Sequence, residues 1–167
     1  MTDIPAENLT MLTLVKPSGE LEISLARLPM PQPNDHEVLV KVLASPINPS
    51  DLGLLVGGAD VSTAKGGARD GLPLITASVP APGMRAMAGR VGEAMPVGNE
   101  GCGTVVKAGK SPEAQALMGK TVALLGGSMY AQYRCVAPAM CMELPAGTDP
   151  ADGASCFVNP LTALAFT

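Results

Sequence analysis

The chain has 167 residues, which suits one domain with a substantial core, or one domain and a small appendage. Apolar residues make up 47%, but with 2 Phe, 2 Tyr and no Trp the core must be filled by Val, Leu, Ile, Met and Ala; 19 Gly and 16 Pro argue against a helical bundle and for short strands between turns. A net charge of −4 without a Lys/Arg cluster excludes the footprint of a nucleic-acid binder, and there is no basic-apolar leader and no apolar run near the roughly 20 residues of a membrane span, so a cytoplasmic protein off the membrane is expected.

In chain order, residues 9–16 (LTMLTLVK) and 21–28 (LEISLARL) are β-prone runs around Pro17-Ser18-Gly19-Glu20, and predict a hairpin. Residues 37–43 predict a strand covered on one face and half covered on the other, stopped by Pro46 and Pro49. Asn48-Pro49-Ser50-Asp51-Leu52 has the polar caps of a helix start. From 56 to 97 the composition turns to Gly, Ala, Pro and Met with few β-branched runs, which reads as a long excursion with a helical turn or two near 84–94. Strands are expected again at 103–107, 120–125, 130–137 and 140–144, in the pattern of a barrel or sandwich. One helix is expected from Thr148-Asp149-Pro150 and another from Asn159-Pro160, the latter running to the terminus without a stop signal, as a cut chain or domain edge would.

Few residues point to chemistry on their own. Gly98-Asn99-Glu100-Gly101-Cys102-Gly103 must turn tightly around an acid, but its spacing is not G-x-G-x-x-G and a strand follows it, not a helix. The one histidine, His36, lies between Asp35 and Glu37 in a turn and reads as solvated, as do the acid pairs Asp35/Glu37 and Asp149/Asp152. Cys102, Cys135, Cys141 and Cys156 have no metal or redox spacing and read as buried free thiols. Tyr130 and Tyr133 should sit on opposite faces of one strand, one inward and one exposed.

Taken in order, Glu37-Val38-Leu39-Val40-Lys41-Val42, Ile47-Asn48-Pro49-Ser50-Asp51, Gly98 to Val105, Ala131-Gln132-Tyr133 and Asn159-Pro160-Leu161-Thr162-Ala163 resemble the N-terminal GroES-like domain of the medium-chain dehydrogenase/reductase superfamily. The match is to its zinc-independent branch of quinone oxidoreductases and enoyl reductases. The resemblance implies a mainly β fold: a partly open GroES-like barrel with a few short helices over 1–155, carrying a long insertion at about 56–97. Residues 156–167 would begin the hinge helix to a Rossmann domain absent here.

Family position further implies that Asn48, Pro49, Ser50 and Asp51 line the floor near the nicotinamide and that Asn159 and Thr162 touch the cofactor from the hinge helix. Helix capping is the competing role for Asn48, Asp51 and Asn159, and structural hydrogen bonding for Glu100. Pro49 and Asn99 stand at ligand places of the zinc branch, so no zinc is expected. The implied activity is NADPH-dependent reduction of a quinone or an activated C=C, with a small-molecule substrate, inactivity without the nucleotide-binding half, and no assigned catalytic residue; the enoyl reductases' tyrosine donor has no counterpart after Asp51. Arg69, Arg85 and Arg90 are read as solvated, or as partners of an anion. Phe157, Leu161, Leu164 and Phe166 should leave apolar surface for a homo-oligomer, or for the partner of a non-enzymatic binding module.

Overall fold

A computed structural model describes residues 4–167. β1 (Glu7–Lys16) and β2 (Glu20–Pro29) form the expected hairpin. Its register sets Met11 opposite Leu25, Thr13 opposite Ile23 and Val15 opposite Leu21 on one, mostly apolar face, while Leu14 opposite Glu22 and Lys16 opposite Glu20 share the other. β3 (Val38–Ala44) and α1 (Pro49–Leu55) also fall where the sequence puts them.

The segment 56–97 departs from its reading as a mostly irregular excursion. It folds into a second hairpin, β4 (Asp60–Arg69) and β5 (Leu72–Ser78), followed by α2 (Ala81–Ala86), a 3-10 turn at Ala88–Arg90 and β6 (Ala94–Pro96). The turn is Asp70-Gly71, both at positive φ (54° and 73°), as a two-residue hairpin loop of twisted strands requires. β4 carries polar and Gly residues because almost all of it is exposed on the outer edge of the sheet, which hid it from an apolar-periodicity reading. β5 adds to β2, with Ile75 opposite Ile23, and the first sheet runs β4-β5-β2-β1-β6.

The second sheet is built from β7 (Glu100–Ala108), β8 (Thr121–Leu125), β9 (Tyr133–Val136) and β10 (Cys141–Glu143) with β3, in the order β10-β8-β7-β3-β9. Short helices α3 (Pro112–Ala116), α4 (Pro150–Gly153) and α5 (Val158–Leu164) complete the described residues. The two sheets meet where β1 turns from β6 to the 130–132 segment: Met11 N–H donates to the Tyr130 carbonyl at 2.8 Å and Gln132 N–H to the Leu9 carbonyl at 3.0 Å. The Asn8 side chain locks this seam, donating to the Tyr133 carbonyl and accepting from its N–H, both at 2.9 Å. The result is the mainly β, partly open barrel that the sequence predicts.

The principal core lies on the second sheet, where Val38, Val40, Val105, Val122 and Leu124 pack with Met129 and Ala114. A smaller cluster of Val15, Leu21, Val79 and Met87 closes one end of the first sheet. Two local expectations need correction. α5 is capped at Phe157 and already includes Asn159 in its first turn, so Asn159-Pro160 is not its start. Cys102 and Cys135 are buried free thiols as expected, but Cys141 and Cys156 are only half-buried. Among the described residues no helix is long and apolar enough to cross a membrane.

Candidate functional site

α1 starts at Pro49, whose missing N–H costs nothing in a first turn, with Asn48 extended before it at φ −88°, ψ 157°. Asp51 folds back on this start: its Oδ2 accepts the Asn48 backbone N–H at 2.8 Å, the returning arm of a capping box. Its Oδ1 accepts the Asn99 N–H at 3.0 Å, which ties α1 to the glycine motif. Asn99 returns the link by donating its side-chain amide to the Ser50 hydroxyl at 2.9 Å.

Glu100 extends this network to α5. Its Oε1 accepts the Asn48 side-chain amide at 2.9 Å, and its Oε2 accepts the N–H groups of Phe157 and Val158 at 2.9 and 3.0 Å. Those two amides are among the orphan donors at the start of a helix, and a carboxylate there is favoured by the helix dipole. α5 therefore begins at Glu100's partner amides, which accounts for its early start. Asp51 and Glu100 are both 0% exposed and have no cationic partner among the described residues, so hydrogen-bond donors offset their desolvation.

Of the residues singled out from the sequence, Asn48 and Asp51 are thus buried within the network. Pro49, Ser50, Asn159 and Thr162 are exposed, and the Thr162 hydroxyl donates to the Val158 carbonyl at 2.6 Å. Glu100 connects the two motifs at its centre in the structural role expected of it. His36 is exposed, its backbone N–H bonded to the Asn34 side chain, and among the described residues no group of three or more His, Cys, Asp and Glu is placed to hold a metal. The arginines divide: Arg85 and Arg69 are exposed, Arg69 with its guanidinium bonded to Glu22 at 2.6 Å, whereas Arg90 is half-buried and bonds the Leu54 carbonyl and Thr13 hydroxyl, so it alone is not solvated. Burial lowers the Arg90 pKa, and its Nε has no hydrogen-bond partner among the described residues.

Tyr130 was out of reach of sequence reading, because it is distant in sequence from Asn48–Asp51 and close in space. It lies just before β9, not in it, and its hydroxyl donates to the Pro46 carbonyl at 2.9 Å. Burial, then the neighbouring Asp51 charge, pushes its pKa up to about 12, so it keeps its proton at neutral pH. Gly98, at φ 97°, makes this placement possible: a Cβ there would come within 2.8 Å of the Tyr130 ring and backbone nitrogen. Tyr133 is the buried member of the pair. Tyr130 also borders a cavity of about 600 Å³ between the sheets, walled by Met11, Ile23, Leu25 and Ile75 on one side and Leu43 and Ile47 on the other.

Residues 34–146 match the family model of the alcohol dehydrogenase GroES-like domain. The chain is similar in structure to a proposed NADPH:quinone reductase of Mesorhizobium loti, at 27% identity and a TM-score of 0.65, over 99% of this chain and 44% of that one. A second proposed NADPH:quinone reductase, from Bacillus thuringiensis, matches at 25% identity and a TM-score of 0.61, over 96% of this chain and 40% of that one. A mycobacterial protein solved in complex with NADPH shares the fold at 18% identity and a TM-score of 0.61, over 95% of this chain and 40% of that one. The chain thus spans less than half the length of these structures. No curated protein matches it in sequence.

Proposed function

The chain belongs to the alcohol dehydrogenase GroES-like domain family, in its quinone oxidoreductase and enoyl reductase branch, and from that premise we propose that it is the catalytic-domain portion of a zinc-independent, NADPH-dependent reductase of a quinone or an activated C=C. The observation that carries this reading is the Glu100 carboxylate, which holds Asn48 and the start of α5 in one constellation. It fixes the separation of the two motifs that, by family position, face the cofactor.

The groups these motifs expose suit that cofactor. Ser50, Asn159 and Thr162 offer neutral hydroxyl and amide groups, the donors and acceptors that a carboxamide and a ribose take up. We assign cofactor contact to these three. Asn48, Pro49 and Asp51 are positioning residues that hold α1 in register, since the Asn48 amide is taken by Glu100 and both Asp51 oxygens by backbone N–H groups. Bound NADPH would supply the hydride, and the protein the orientation and the electrostatic setting. Residues 1–155 form the catalytic domain, with 56–97 as its insertion, and 156–167 the start of the hinge helix. The protein acts in the cytoplasm as a homo-oligomer, and this portion alone does not turn over.

The test is NADPH oxidation with quinones and enoyl thioesters as acceptors, comparing this chain with the same chain joined to a nucleotide-binding half. Turnover only in the joined form is expected. Absence of turnover there with every acceptor would remove the proposal. A second reading, a non-enzymatic binding module, is favoured by the exposure of Leu161 (53%), Leu164 (67%) and Phe166 (87%). Self-association that NADPH leaves unchanged, in a joined form without turnover, would support it.

A further inference from the structure

α1 is seven residues, about 10 Å long, and a helix that short takes its direction from whatever holds its ends. Its start is held on the second sheet, where Glu100 accepts the Asn48 amide and Asp51 accepts the Asn99 N–H. Its far end is held on the first sheet, by a residue of the 56–97 insertion. Both terminal nitrogens of Arg90 donate to the Leu54 carbonyl at 3.0 Å, and Nη2 also donates to the Thr13 hydroxyl at 2.8 Å. Leu54 offers one of the carbonyls left without a helical partner at the end of α1, where the helix dipole also favours a cation. Thr13 is fully buried on β1, between Met11 at the cavity and Val15 in the closed cluster. The chain leaving α1 docks on the same insertion: a Cβ on Gly58 would come within 2.6 Å of the Gly83 Cα in α2.

Stability alone does not call for an arginine here. Arg90 is half-buried, and among the described residues no carboxylate pairs with it and its Nε has no hydrogen-bond partner. A desolvated cation without a countercharge is a net burden, whereas apolar groups in place of both donor and acceptor are nearly neutral. What the guanidinium adds is geometry: a planar fork that reaches a carbonyl on one element and a hydroxyl on another at the same time.

We propose that Arg90 is a positioning residue of the reductase site, a clasp that sets the angle of α1 across the two sheets and so the place from which Ser50 meets the cofactor. The catalytic part rests on the reductase reading; the clasp itself rests on the Leu54 and Thr13 contacts alone. The 56–97 insertion acquires a role, since it supplies the residue that fixes the cofactor-facing helix.

The experiment compares Arg90→Met with the double variant Arg90→Met/Thr13→Val, which leaves no unpaired hydroxyl behind and keeps the test open if the single variant fails to fold. In the full chain without nucleotide, the Val56 and Gly57 amides, which bond the Leu52 carbonyl at the far end of α1, should exchange hydrogen about tenfold faster or more in both variants. The Asn99 amide on Asp51, at the start of α1, should change less than about twofold. In the chain joined to a nucleotide-binding half, both variants should lose about tenfold or more in kcat, with KM for NADPH within about threefold of the parent, since misalignment of bound reactants lowers the rate. The double variant should nonetheless keep the parent's denaturant midpoint, which separates positioning from a merely structural role. Unchanged exchange at Val56 and Gly57, exchange raised equally at both ends of α1, an unchanged kcat, or a kcat that falls only in step with the midpoint would overturn the assignment. If the joined parent reduces no acceptor, the reductase reading falls and the catalytic role with it, while the exchange pattern still decides the clasp.

Discussion

The two sheets use the same alternation of side chains for different ends. In the second sheet, Val38, Val40, Val122 and Leu124 are 0% exposed and Val105 is 1%, so this part of its inner face is spent on packing, and only the end of β3 from Val42 to Ala44 borders the cavity. In the first sheet only the end carrying Val15 and Leu21 is closed, at 0% and 2% exposure, and the end carrying Met11, Ile23, Leu25 and Ile75 opens on the cavity. Apolar patterning alone does not separate these uses. What separates them is whether another element arrives to cover the face, and α2 with its following turn reaches only one end of the first sheet.

The buried carboxylate on the second sheet should give the largest effect. Glu100→Ala removes the acceptor of three N–H donors and leaves a cavity, which should cost about 3–5 kcal/mol in a denaturant titration. Glu100→Gln keeps the volume but turns an NH₂ group toward a donor, for about 2 kcal/mol. In both variants the Phe157 and Val158 amides should exchange hydrogen faster than those of β3. Unchanged exchange there would mean that Glu100 does not set the start of α5.

Next comes a matched pair of leucines. Leu124→Ala, in the closed sheet, should cost about 3 kcal/mol, within the range for truncation in a packed core. Leu25→Ala, on the cavity wall, should cost about 1 kcal/mol or less, because that side chain is already half open. Equal losses would show that the cavity wall carries stability as a core does, and would erase the distinction between the sheets.

The parts legible in the sequence share a physical cause. The β1–β2 hairpin, β3, β7 and β8 announce themselves because an apolar face must alternate, and α1 and α4 because Pro and a capping side chain stand together. β4 was illegible because an exposed edge strand needs no apolar period, although Asp70-Gly71 is a hairpin signal that sequence reading should weigh more heavily. The site divides in the same way. Asn48 to Asp51 and Glu100 lie in local motifs, whereas Tyr130 approaches them through long-range pairing of 129–132 with β1 and with Val97 and Gly98. The start of α5 was misplaced for a related reason: its first amides are satisfied by Glu100, from a different strand, and not by the nearby Asn159.

The smallest effect belongs to the polar face of the first sheet, where Glu22 lies between Lys16 and Arg69 at 3.0 and 2.6 Å. Burial alone would raise the Glu22 pKa, but its hydrogen bonds to Arg69 and Lys16 prevail and hold it below the ordinary value of 4.5. A carboxylate whose pKa is depressed on folding contributes stability that is fully present above its unfolded pKa and is lost as the pH falls through its folded one. Glu22→Gln should therefore cost about 1 kcal/mol or less at neutral pH, both cations being partly exposed. The gap from the parent should start to close as the pH drops below about 4.5 and vanish below the folded pKa. Denaturant titrations from neutral pH into this acid range measure the gap directly. If it stays constant, Glu22 acts through packing and not through charge, and both faces of the first sheet contribute in the same way. A gap that closes would show one hairpin holding two separate devices back to back, an ion-pair ladder on the outside and an open apolar wall on the inside.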